Sequence, residues 1–109
     1  MTTWHTAPSD VIARLTVTGG FPAPDVTVTF EVAGPDLANV SPTNYVAQTP
    51  QTRTGIAVNS SADFKITLSQ VGYYNIRVTA ILSNPLGQVT IGPQVVSIGI
   101  GQAPSGTVS

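Results

Sequence analysis

Strict two-residue alternation of apolar and polar side chains constrains this chain more than any other feature. In residues 25–33, Val26, Val28, Phe30 and Val32 fall on one side of an extended backbone, and Thr27, Thr29 and Glu31 on the other. Residues 62–68 repeat the pattern, with Phe64, Ile66 and Leu68 set against Asp63, Lys65 and Thr67. The longest run is 73–82. Tyr74, Ile76, Val78, Ala80 and Leu82 share one face; Tyr73, Asn75, Arg77, Thr79 and Ile81 share the other. Residues 11–18 place Val11, Ala13, Leu15 and Val17 inward. No segment keeps apolar residues at i, i+3, i+4 and i+7 beyond one turn, so helices are not expected.

Between these runs stand Gly34-Pro35-Asp36, Asn59-Ser60-Ser61 and Ser83-Asn84-Pro85-Leu86-Gly87, each read as a turn or loop. Weaker strands are expected near Tyr45 and Ala47 (or Val46 and Gln48) and at 52–58, with Ile56 and Val58 inward. Residues 88–91 and 94–100 form either a strand pair or one strand bent at Gly92-Pro93. Seven to eight short strands with regular turn signals predict an all-β sandwich. The expected organisation is a flexible arm over 1–9, the sandwich over 10–100 and a flexible Gly, Pro and Ser-rich tail over 101–109.

The run from Ala62 through Gln70-Val71-Gly72-Tyr73-Tyr74 to Ala80 resembles the late strands of immunoglobulin-like domains. It is most similar to the bacterial modules of the invasin and intimin kind, where Gly-x-Tyr leads into an alternating strand. The segment 25–35 resembles an earlier strand of the same modules. The resemblance covers about residues 11–82. It implies an immunoglobulin-like β-sandwich with a tyrosine corner. Gly72 would turn the chain there, and Tyr74 would bury its ring and bond its hydroxyl to nearby backbone. There is no disulfide, because the chain has no Cys; Ile76 stands where the second Cys of an antibody domain would be. The antibody-type core Trp is also missing.

Composition then removes function classes. Only 8% of the 109 residues are charged, with formal net charge −1, against about 25% in an average soluble domain. Four basic and five acidic residues make no phosphate-attracting field, so nucleic acid is not an expected partner. Without Cys there is no zinc ribbon or thiol nucleophile. Apolar runs are too short to span a membrane as a helix. The opening MTTWHTAPSD is not read as a secretory signal. The single His, His5, lies in a polar arm that does not fix it between a hydroxyl and a carboxylate, as a triad requires. Asp25, Asp36 and Asp63, all near strand ends, are a conceivable Ca²⁺ set but fit no calcium-loop motif. The two glycosylation sequons, at Asn39 and Asn59, are read as chance matches in a Ser- and Thr-rich chain. No catalytic residue, cofactor or metal is expected.

The remaining candidates are protein contacts. Trp4, beside His5 on the arm, either docks on a partner or folds back onto its own sheet. Phe21 in Gly19-Gly20-Phe21-Pro22 is either a contact tip or a packed loop residue. Tyr73, Arg77 and Ile81 form an outer sheet face that is either a docking surface or ordinary free surface. An Ig-like module with no export signal suits a bacteriophage virion protein, a capsid decoration or head/tail surface protein made in the host cytoplasm. Its partner would be a capsid or other virion protein, with self-association possible. The alternatives are a spacer or binding module of a bacterial surface adhesin and, less favoured for want of an aromatic platform, a carbohydrate-binding module.

Overall fold

The computed structural model describes residues 3–18, 25–102 and 107–108. It is all-β, with eight strands: β1 (Thr3–His5), β2 (Ser9–Thr16), β3 (Asp25–Asp36), β4 (Tyr45–Ala47), β5 (Gln51–Arg53), β6 (Ser61–Leu68), β7 (Gly72–Asn84) and β8 (Gly87–Ile100). Six build a mixed sheet in the order β1-β8-β7-β3-β4, with β5 also paired to β3. Its one parallel pairing joins β1 to β8; the others are antiparallel. The remaining pair, β2 and β6, forms a separate antiparallel ladder from Ser9↔Leu68 to Thr16↔Ser61.

Alternation dictates which faces meet. Val26, Val28, Phe30 and Val32 of β3, Tyr74, Ile76 and Ala80 of β7, and Ile98 and Ile100 of β8 are buried in one cluster with Phe64 and Leu68 of β6. Val11, Ala13, Leu15, Ala62 and Ile66 of the small sheet pack on it, half-buried. Both sheets therefore turn their apolar rows toward one core, whose burial supplies the main driving force. At one side the sheets are joined by side chains. Gln51 Nε2 donates to the Lys65 carbonyl at 2.7 Å, and Arg53 Nη2 to the Asp63 carbonyl at 3.0 Å. These serve the far edge of β6, where no ladder runs.

Three expectations change. Thr3 to His5, expected in a free arm, make a strand on β8, and Ser9 already belongs to β2. Gly34-Pro35-Asp36 does not turn the chain: β3 runs through it with a register irregularity between Ala33 and Asp36. The turn follows, because the Asp36 carboxylate accepts from the Ala38 and Asn39 amides, both at 2.9 Å. The strand expected over 52–58 shrinks to β5; Gly55, at φ +62°, leaves extended geometry, so Ile56 and Val58 are half-buried in a loop.

At the end of the chain the bent-strand alternative holds. β8 is continuous, and its register against β7 shifts between Val78 and Ala80. Gly92 sits at φ +94°, where a Cβ would lie 2.7 Å from the Val78 carbonyl oxygen. Only glycine suits that bulge. The molecule is long and narrow, 64 × 23 × 20 Å.

Candidate interaction face

The outer face of the mixed sheet gathers most of the candidate contact residues. Trp4, Gly99 and Tyr73 are successive cross-strand neighbours on β1, β8 and β7. A Cβ on Gly99 would lie 2.5 Å from the Trp4 ring. The indole therefore lies flat across the bare glycine and reaches the Tyr73 ring edge-on, at 5.1 Å between centroids and 68° between planes. That is a favourable aromatic geometry, and it covers a glycine that would otherwise weaken the strand. Trp4 has folded back on its own sheet. It remains half-exposed.

His5 points away from this row, exposed, and its backbone carbonyl accepts from the Gly101 amide at 2.8 Å. Phe21 lies outside the described residues.

Two residues along β7 from Tyr73, Asn75 is buried and fully used. Its Nδ2 donates to the Pro42 carbonyl at 2.8 Å, and its Oδ1 accepts from Ser97 Oγ at 2.6 Å. Arg77 comes next. Its guanidinium grips Glu31 on β3 with two hydrogen bonds, Nε to Oε1 at 3.0 Å and Nη2 to Oε2 at 2.8 Å. The same group lies over the Tyr45 ring of β4, 4.1 Å from its centroid. The donated hydrogen bonds hold the Glu31 carboxyl below its usual range. Arg77 is thus clamped between a carboxylate and an aromatic face, which fixes its rotamer. Ile81 is half-buried further along the same row, beside Thr27, whose hydroxyl meets that of Thr52 at 3.2 Å.

Along this face Trp4, Asn75 and Arg77 each have a defined partner, so the row is largely preformed. Tyr45, Glu31 and Gly99 belong to it but carried no sequence label. Glu31 was legible in principle, as an outward acid on a strand that could pair with the strand of Arg77.

The Tyr74 ring is buried, and its hydroxyl donates to the Gln70 carbonyl at 2.8 Å. Burial pushes the phenol above its ordinary pKa. Gly72, at φ +146°, is pressed against Asp36 and Pro35, which a Cβ would meet at 3.0 Å.

The three Asp residues considered together for calcium are not brought together. Asp25 and Asp36 stand at opposite ends of β3, and Asp63 is bound by Arg14 at 2.9 Å. Among the described residues no cluster of three His, Cys, Asp or Glu side chains forms. No family model, curated protein or solved structure matches the chain.

Proposed function

We propose that this chain is a non-enzymatic immunoglobulin-like module that works by docking on other proteins, in the first place as an accessory protein on a bacteriophage particle. The strand partners support the immunoglobulin-like part. β2 pairs with β6, while β8, β7, β3 and β4 pair in that order, and β1 runs parallel to β8. The Tyr74 hydroxyl bond to Gln70 at the start of β7 supports the tyrosine corner and, through it, kinship with the invasin and intimin modules.

The docking part rests on one observation: the rigid row of Trp4, Tyr73 and the Arg77–Tyr45 stack on an open sheet face. Trp, Tyr and Arg are the residues that dominate interface energetics, and their side chains here are already ordered. The partner in this reading is a capsid or another virion protein. The test is co-sedimentation with heads purified from the phage whose genome encodes the sequence. The wild type is expected to pellet with the heads, and Arg77→Ala to stay in the supernatant while keeping its fold. A wild type that never pellets sinks the reading.

The second reading, a spacer in a bacterial surface adhesin, is favoured by the 64 Å length against a 20–23 Å width. Spacers gain reach from such proportions. A reading frame that continues into further similar modules selects it over the first.

A further inference from the structure

Among the described residues the distal edge of β8 has no strand partner, and it points to a second copy of this chain. From Gly87 to Val96 every residue of β8 is exposed, although the strand is hydrogen-bonded to β7 along its other side. Val89 is 60% exposed, Ile91 45%, Val95 53% and Val96 43%. Among the described residues the small sheet is two strands wide, and an apolar trough of about 250 Å³ lies open between β2 and β8, lined by Val11, Phe64, Val78, Ile91 and Val96 among others. The edge carries no charge, although it is interrupted by the Gly92-Pro93 bulge, where Pro93 has no amide to donate. No Asp, Glu, Lys, Arg or His follows Arg77 in the sequence, whereas natural free edges are usually guarded by charge.

Backbone direction says what fits. The Gly101 amide donates outward to His5 of β1. By alternation, Ser97 and Val95 turn their amide and carbonyl to the same outer edge. The partners Val78↔Gln94 and Ala80↔Ile91 show that the bulge absorbs one residue. Beyond it the outward set is therefore Thr90 and Gln88. These two halves are symmetric about Gly92-Pro93. An antiparallel copy related by a two-fold axis there would bond Gln88 to Ser97 and Thr90 to Val95 of the other chain, twice over. Side chains agree with this register. Val89 would face the second copy's Val96 on the trough side, so the apolar rows adjoin. The edge beyond Ser97 is already taken by β1, in a seat of three residues from Ile98 to Ile100, so the free segment and the symmetric segment coincide.

We propose that two copies pair through β8, antiparallel and centred on Gly92-Pro93, joining their mixed sheets into one. Such an interface is isologous and closes at the dimer. An uncharged edge meeting itself carries no like-charge repulsion. This pairing is independent of docking on a shell, and its test contains no shell.

Sedimentation equilibrium of the full chain tests it with two double variants at the same positions. In Thr90→Lys with Val95→Lys, like charges face each other twice across the axis. In Thr90→Glu with Val95→Lys, opposite charges do. Both positions are on the exposed stretch, and far-UV spectra with thermal melts verify that each variant is folded. The wild type is expected to dimerise. The Lys/Lys chain is expected to dimerise at least about tenfold more weakly than the Glu/Lys chain. A wild type that stays monomeric to millimolar concentration overturns the proposal and leaves the edge to a strand of another protein. Two variants that dimerise equally overturn it as well, because the register then is not the one derived.

Discussion

Among the described residues, β2 and β8 each present an edge without a strand partner, and the two are built differently. The outward side chains of β2 include Asp10 and Arg14. Asp10 accepts from the Thr67 hydroxyl and lies 3.7 Å from Lys65; Arg14 holds Asp63. Four of the chain's nine charges thus stand on the outer face of the two-stranded sheet. The distal part of β8 has none. Exposed ion pairs add little to stability, and the two charges on β2 also stand beside its free edge, where charge discourages unwanted strand pairing. The same chain left its longer, more apolar edge uncharged. Charge is therefore unevenly spread: residues 37–52 and everything after Arg77 carry none.

The contrast extends to the core, and substitutions can break it in order of size. Phe64 is the most buried side chain that the small sheet contributes. Phe64→Ala is expected to cost about 3–5 kcal/mol by chemical denaturation, whereas Ile91→Ala on the open edge should stay within about 1 kcal/mol. Measured on dilute, monomeric protein, similar losses at both positions would mean that β8 is covered within its own chain. Gly99→Ala puts a methyl against the Trp4 ring and should cost about 1–3 kcal/mol. A neutral result would show that β1 is not held by the indole. Tyr74→Phe removes the bond to Gln70 and should cost about 1–2 kcal/mol; no measurable change would dissolve the corner.

The smallest effect is that of pH. Glu31, Asp36 and Asp63 all ionise below their ordinary values of 4.5, 3.8 and 3.8, through hydrogen bonds from Arg77, from the Asn39 and Ala38 amides, and from Arg14. A depressed carboxyl stabilises the fold above its unfolded pKa, and that stability fades as pH falls through the folded value. Melting temperature should hold to about pH 5 and decline below about pH 4. Asp63→Asn should flatten part of that decline, while substitutions confined to β8 should leave its shape alone. A melting temperature that does not fall in acid contradicts the ion-pair assignments.

The long strands were legible because each keeps its period for eight residues or more. Every inward residue named for β3 and β6 is buried or half-buried, and β2 alternates along its whole length. Short elements were not legible. Three residues of β1 cannot display a period, and Trp4 finds its place through Gly99, a residue with no side chain to advertise the contact. The segment 34–36 carried the right turn residues at a point where pairing with β7 resumes at Asp36↔Tyr73; the ladder outweighed local preference. The candidate face was half legible. Tyr73, Arg77 and Ile81 followed from alternation, but the clamp on Arg77 needed the alignment of β4 and β3, which only the folded register supplies.

The parallel seat of β1 on β8 has a mechanical meaning. The chain enters the fold at one end of that three-residue ladder and leaves it at the other. Tension applied at Thr3 and Ile100 would load those backbone hydrogen bonds in shear, all at once, while the antiparallel β7–β8 ladder lies outside the direct path from one point to the other. Resistance to stretching would then be set by β1 and the indole lying across Gly99, and the fold would yield there before its core felt the load.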